Sequence, residues 1–360
     1  MANKFLDRIE KLRSLFPENK IDSIFLSKSE DVSYFTGTKG DDISLFITEE
    51  EQYLITDFRY KEMAMNIDWF NFYETDLYNS TVDLILKTAA KRIGVCRNSL
   101  SLDTYLKFKE VLVDKEIVPV GDDEYNPVNE LRIIKDEEEI YYTKIAEEIG
   151  SNAFEYILTV IKPGVTEKSI ALALENYMLS HGADGISFDT ICVSGKKTSM
   201  PHGVPDGKII ESGEFVTMDY GCTYNGYHSD MTRTIAVESA SEEMQNIYNI
   251  VLKSQKYACK NIKAGLNGDV CHHFALDIIE KAGYGKYFGH GLGHGTGLEI
   301  HEAPRLSLSY KKPIPVNSIV SIEPGIYIPG KFGIRIEDLA VVKENGIINL
   351  TSAPKELIII

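Results

Sequence analysis

The dipeptide Asn225-Gly226 constrains its surroundings more tightly than any other feature of this 360-residue chain. Asn-Gly is the strongest short hairpin signal, a two-residue type I′ turn with both residues at positive φ. Centred there, the register pairs Tyr224 with Tyr227, Thr223 with His228 and Gly221 with Asp230. Asp219 precedes Gly221 by two residues, so it shares a face with Asp230 as a diagonal neighbour, roughly 7–8 Å away at Cα. A slip of one residue would put the two acids on opposite faces.

A second acid pair follows the same logic. Ile319-Val320-Ser321-Ile322-Glu323 reads as a strand that runs past Pro324-Gly325 to Ile328, and Pro329-Gly330 begins a turn. The return strand is Gly333-Ile334-Arg335-Ile336-Glu337. With the turn near Gly330, Glu323 falls opposite Glu337, and Arg335 lies on the same face. Any one of these acids alone reads as a solvated strand residue. Together, and among isoleucines and valines, they require cations, because an unpaired buried carboxylate is costly.

A nitrogen ligand is available in Gly289-His290-Gly291-Leu292-Gly293-His294-Gly295-Thr296-Gly297. Five glycines in nine residues let the backbone approach a neighbour closely. The run lacks the lysine of a phosphate loop, and its histidines point to a metal or anion site. Asp219, Asp230, His294, Glu323 and Glu337 thus form a candidate cage for two neighbouring divalent ions. Such an oxygen-rich set with one imidazole suits manganese, cobalt or iron, with zinc a further option.

Composition narrows the function classes. Lys plus Arg total 38 against 54 Asp plus Glu, a formal charge of -16, and no basic stripe with interleaved aromatics is present. Nucleic acid is therefore not an expected partner. No apolar run nears the roughly 20 residues that span a membrane, so no membrane partner is expected. The segment Met1 to Arg8 turns charged and amphipathic at once, without a signal-peptide core, which leads us to expect a cytoplasmic chain. Five cysteines without a Cys-x-x-Cys pair read as scattered thiols in a reducing compartment.

Length predicts two domains. Residues 1 to about 125 read as an α/β unit: a helix at about 2–16, strands at 23–26, 43–47 and 52–56, helices at about 58–66 and 78–92, and a strand at 92–95. The polar stretch from Gly121 to Pro127 reads as the joint. Beyond it come helices at about 136–161, 166–182, 241–262 and 268–282. Strands alternate with them at 186–194, 214–221, 227–237, 318–328 and 333–343, an α+β pattern of hairpins under covering helices.

The segments MDYGCTYNGYHSDMTRT, GHGLGHGTGLEIHEAP, SIEPGIY and GIRIEDLAVV resemble the motif set of the pita-bread dinuclear metallopeptidases. Spacing and the extra N-terminal domain are similar to the proline-specific branch, aminopeptidase P and prolidase, rather than to methionine aminopeptidase. Ser33-Tyr34-Phe35-Thr36-Gly37 and the stretch Leu54 to Tyr60 resemble the N-terminal domain of that branch. The resemblance implies a C-terminal pita-bread (creatinase/aminopeptidase) domain over 126–360, preceded by a smaller α/β creatinase-like domain over 1–125. The smaller domain would restrict substrate and contact a second subunit in a homodimer.

The resemblance also implies roles. Asp230 and Glu337 would bridge both ions, Asp219 would chelate one, and His294 with Glu323 would bind the other. A water or hydroxide between the ions would be the nucleophile and Glu323 the general base. His202 and His301 match the histidines that hold substrate and the tetrahedral intermediate, His290 another histidine lining the substrate site, and Arg335 a supporting arginine. The substrates implied are peptides with proline in second position. His181, His228, His272 and His273 read as surface or helix-end residues, although His228 shares the face of Asp230. Two other readings use the same fold: a catalytically inactive binding or scaffold protein, and a metal-independent C–N hydrolase like creatinase. The intact acid set argues against both.

Overall fold

The computed structural model describes residues 3–77, 80–122 and 126–360. The chain divides into two compact units, Met1–Arg132 and Ile133–Ile360. The joint read from the sequence, at 125/126, falls on positions 123–125, which lie outside the described residues, as do the first two positions of the helix expected at 78–92.

The first unit is built on six strands, β1 (Ser23–Leu26), β2 (Ser44–Thr48), β3 (Gln52–Thr56), β4 (Asn71–Glu74), β5 (Arg92–Cys96) and β6 (Glu116–Val120). They form one mixed sheet in the order β4-β3-β2-β1-β5-β6. β1 is wholly buried, as its unbroken apolar run dictates. Two of its helices start at side-chain caps of this kind: Asn3 accepts from the Phe5 N–H at the helix Lys4–Ser14, and Ser80 with Asp83 forms a capping box at Thr81–Lys87. That helix is shorter than expected. The elements Ser29–Thr36, β4, Leu102–Val111 and β6 were not read from the sequence at all.

Within this unit Asp31 and Arg132 form a fully buried ion pair at 3.0 Å. Removing one partner strands a charge out of water, so Arg132→Leu should cost about 3–5 kcal/mol. Urea unfolding of the single mutant against the Asp31→Leu/Arg132→Leu double mutant measures it. The double mutant should recover most of the loss, and equal loss in both would show that packing matters more than charge.

The second unit has thirteen strands: β7 (Gly185–Ile186), β8 (Ile191–Ser194), β9 (Phe215–Tyr220), β10 (Cys222–Tyr224), β11 (Tyr227–His228), β12 (Met231–Ala236), β13 (Gly293–Gly295), β14 (Glu302–Leu306), β15 (Ile319–Ile322), β16 (Gly325–Ile328), β17 (Phe332–Arg335), β18 (Asp338–Lys343) and β19 (Gly346–Asn349). The helices Glu137–Ile157 and Glu167–Ser180 cover β8, β9 and β12 in one apolar core. The helices Glu242–Asn261 and Gly268–Lys281 cover β14, β15, β16 and β18 in a second. The starts of the first three are set by Asp136, Thr166 and Ser241, each accepting a first-turn N–H. The α+β architecture expected from the hairpin pattern is the one observed. Among the described residues no helix is long and apolar enough to cross a membrane.

Both hairpins keep the expected register. Asn225 and Gly226 take φ of 46° and 83°, and Thr223 pairs with His228 and Tyr224 with Tyr227. The same register carries on into β9 and β12, where Asp219 faces Thr232. In the second hairpin Gly330 turns the chain at φ 76°, and Gly325 pairs with Arg335. β15 pairs with β18 in that same register, from Ile319 with Val341 to Ile322 with Asp338. The long strands expected at 318–328 and 333–343 are each broken in two, β15/β16 and β17/β18. Pro324, which has no N–H to give the ladder, lies at one break. Glu323 and Glu337 sit at the breaks, and their N–H groups bond elsewhere, to Leu292 O at 2.8 Å and Thr232 O at 3.1 Å. The second of these bonds sets one hairpin beside the other, which is how two acid pairs distant in sequence become neighbours.

Candidate metal centre

The acids and His294 line a single cavity of about 870 Å3, shared with His202, His290, His301, Arg305, Tyr327 and Arg335. Every site residue expected from the sequence therefore reaches the same pocket. Ligand atoms of Asp230, His294 and Glu337 lie within 4.8 Å of one another. The His294 Nε2 stands 3.4 Å from an Asp230 oxygen and 3.4 Å from a Glu323 oxygen.

The hydrogen bonds of His294 decide what those short distances mean. Its Nδ1 lies 3.1 Å from the Gly295 carbonyl, which can only accept, so the proton is on Nδ1. The Nε2 lone pair then faces two carboxylates, three acceptors with no donor between them. Asp219 Oδ1 is likewise buried without a hydrogen-bond partner among the described residues. Burial first, and then the neighbouring acids, push Asp230 and Glu337 well above the usual carboxylate range. Burial also raises Glu323, to about 7. Only cations satisfy such a set without protonating it, so the residues fit a divalent metal site.

Two hydroxyls aim two of the acids. Thr232 accepts from Arg335 Nε at 2.9 Å and donates to Glu337 Oε2 at 2.6 Å. Ser321 accepts the His294 N–H at 3.1 Å and donates to Glu323 Oε1 at 3.1 Å. Gly293 makes room for this, since a Cβ there would lie 1.9 Å from Ser321 O. The fully buried Glu147 accepts the Asp230 N–H at 3.2 Å and the Thr351 hydroxyl at 2.6 Å. Burial raises its pKa to about 8.

Arg335 donates to Asp219 Oδ2 at 2.5 Å and to the Tyr327 oxygen at 2.9 Å. Tyr327 lies 3.0 Å from His290 Nε2, and His290 Nδ1 lies 2.7 Å from Gly291 O. The carbonyl again fixes the proton on Nδ1, so the Tyr327 O–H donates to Nε2. Burial, with Arg335 nearby, lowers His290 to about 4 and keeps it neutral. His290 thus lines the pocket with both ring nitrogens engaged. His301 stacks edge-on against His294 at 4.4 Å, and its pKa is lowered to about 4, mainly by burial. Its loop is anchored by the buried pair Lys135–Glu302 at 2.6 Å. The loop of His202 is tied to the second hairpin where the Gly333 N–H meets Thr198 Oγ1 at 2.8 Å.

Thr232, Ser321, Tyr327 and Glu147 were not singled out in the sequence. Tyr327 and Ser321 had a signal, since each lies an even number of residues from Glu323 on the alternating strand. His272 corrects an expectation: it is buried, 4 % exposed, and accepts the Leu292 N–H at 3.0 Å, two residues before His294. It falls on the inward stripe of its helix with Cys271, Ala275 and Ile279, a pattern the sequence did display.

One outcome tests the Thr232 bridge. Thr232→Val should weaken divalent-ion binding about 10- to 100-fold, as loss of a hydrogen-bonded supporting group does. Thr232→Ser should retain it. Isothermal titration with Mn2+ measures both, and equal affinity in the valine variant would show that Glu337 needs no such support.

Comparison with known proteins agrees with this geometry. Residues 142–344 match the model of metallopeptidase family M24, and residues 8–134 match the creatinase/prolidase N-terminal domain. A Pyrococcus furiosus Xaa-Pro dipeptidase is 38 % identical, over 98 % of this chain and 99 % of that protein. The structure of an Xaa-Pro dipeptidase from Bacillus anthracis superposes with a TM-score of 0.95 at 40 % identity, covering 99 % of this chain and 100 % of that one. An X-Pro aminopeptidase from Thermotoga maritima gives 0.87 at 36 % identity, covering 98 % and 99 %. With both its domains matched and the acid set intact, the chain belongs to metallopeptidase family M24.

Proposed function

We propose that this chain is a dinuclear metal-dependent exopeptidase that hydrolyses the bond between an N-terminal residue and proline. The observation that carries the reading is that the His294 lone pair meets the Asp230 and Glu323 carboxylates at 3.4 Å in the cavity, with no proton of the ring between them. Asp219, Asp230, His294, Glu323 and Glu337 would hold two divalent ions, with manganese suited to so oxygen-rich a set. Bound there, the ions would lower the pKa of a water for nucleophilic attack and polarise the scissile carbonyl.

The remaining work falls to side chains of the chain. Glu323 is the general base: its side chain is 16 % exposed against 6 % for Asp230, so it faces the cavity while Ser321 holds one of its oxygens. His202 and His301, both exposed at the cavity, hold the substrate carbonyl and the oxyanion that forms from it. His301 does so as a neutral donor. Arg335 fixes Asp219, and Tyr327 with His290 makes a rigid, internally satisfied wall. Phe188, Pro201, Val204 and Pro205 line the same cavity with apolar surface. A proline ring suits such walls, because its imide has no N–H to strand.

The five cysteines are all free, which accords with a cytoplasmic location. A homodimer is the assembly that accompanies this reading. Incubation with Xaa-Pro and Xaa-Pro-Xaa peptides at saturating Mn2+ tests the activity. Release of the N-terminal residue from at least one class is expected, and no release from either would sink the reading.

A further inference from the structure

His202 sits on a loop, 195–208, that is held mainly at its two ends. Among the described residues, positions 199–205 make a single hydrogen bond beyond that loop, from Arg335 Nη1 to the Pro201 carbonyl at 3.4 Å. His202 and Val204 are exposed along this stretch, at the cavity. The ends, by contrast, are joined by charge. Lys197 Nζ lies 2.7 Å from Glu167 Oε2 and 2.8 Å from Asp206 Oδ2. One ammonium thus closes the loop on itself and pins it to the start of the helix Glu167–Ser180.

The anchor under this clamp is rigid. Glu167 is fully buried, and its other oxygen accepts the Ser194 N–H at 2.6 Å and the Ser194 hydroxyl at 3.0 Å. A buried carboxylate is costly unless it is paired and hydrogen-bonded, and among the described residues both Glu167 oxygens bond to β8 and the loop. Two N–H groups of the first helical turn, which find no acceptor inside a helix, also reach the loop: Glu167 to Lys208 O and Lys168 to Asp206 O, each at 3.0 Å. Lys208 Nζ fastens the far end, 2.8 Å from Ser194 Oγ and 2.7 Å from Glu214 Oε2. Glu167, Lys197 and Asp206 do not line the cavity, so any effect they have on the reaction runs through the loop. A shift of about 1 Å in a group that meets the transition state can cost about 100-fold in rate.

Resting on the exopeptidase reading above and on the role it gives His202, we propose that Lys197, clamped between Glu167 and Asp206, is the positioning residue that holds His202 against the substrate carbonyl. The test is a double-mutant cycle on kcat for Ala-Pro or Ala-Pro-Ala, whichever wild type cleaves, at saturating Mn2+, with Lys197→Met, His202→Ala and the two combined. Lys197→Met should lower kcat about 10- to 100-fold, and should lower it no further once His202 is alanine. Lys197→Arg should restore part of the loss. Mn2+ affinity of Lys197→Met, by isothermal titration, should match wild type, because no clamp residue touches the acid set. Should Lys197→Met fail to fold, Asp206→Asn at the exposed mouth of the clamp decides by the same cycle, with a smaller loss expected. Wild-type kcat in the variant, the same fold-loss repeated in the His202→Ala background, or weakened Mn2+ binding overturns the clamp alone. A wild type that cleaves neither peptide overturns the exopeptidase reading and the clamp with it.

Discussion

Glu323→Gln lowers kcat on an Xaa-Pro peptide by roughly 100- to 10,000-fold, the usual contribution of a positioned general base. The amide keeps the shape and can still accept from Ser321, so the fold and β15 are retained. Asp230→Asn should abolish turnover as well, for a different reason. Its carboxylate faces the His294 lone pair at 3.4 Å with nothing but a cation to balance it. Removing the charge removes an ion. The two effects separate by measurement: elemental analysis should show depleted metal in Asp230→Asn, and thermal melts should show both variants folded. Wild-type turnover in either variant would mean that the site has been wrongly placed.

Stripping the metal should make stability depend on pH, and the sign follows from burial. Asp230, Glu323 and Glu337 have raised pKa values in the metal-free fold, and Glu323 reaches about 7 from an ordinary 4.5. A raised folded-state value favours the folded form while the groups stay protonated. That contribution is present in full below about 4.5 and is lost as pH rises through about 7. Glu147, at about 8, extends the loss upward. The chelated protein should therefore melt at progressively lower temperature between these limits. Divalent ion should reverse the loss at neutral pH, by about 2.7 kcal/mol at one hundred times its Kd. Differential scanning calorimetry of the chelated and Mn2+-loaded forms across that range tests it. Parallel pH profiles for the two forms would show that the acids are not the groups the metal neutralises.

Much of the site was legible because its geometry is local. Asn225-Gly226 set the register that puts Asp219 and Asp230 on one face, and Gly330 did the same for Glu323 and Glu337. Helix starts were legible for the same reason, since a cap such as Asp136 or Ser241 lies within four residues of the N–H it satisfies. The short strands β13 and β14 were not legible. Gly293-His294-Gly295 has neither alternation nor β-propensity, and it is a strand because β14 and β15 flank it. The helix Ser29–Thr36 opens on polar residues and carries only a weak apolar stripe, so periodicity passed over it.

The residues that support the ligands were hidden for a different reason. Thr232 sits between Arg335 and Glu337 across more than one hundred positions of chain, and Glu147 meets Asp230 across 83. No spacing rule reaches that far. By itself the sequence determined which side chains could ligate a cation and which face of its own hairpin each one takes, because turn chemistry and strand alternation act over a few residues. The tertiary structure decided that the two hairpins lie side by side, that His294 enters between them with its lone pair unprotonated, and that Arg305 stands opposite it in the β13–β14 ladder. Those outcomes depend on packing and on hydrogen bonds between segments brought together only when the core forms.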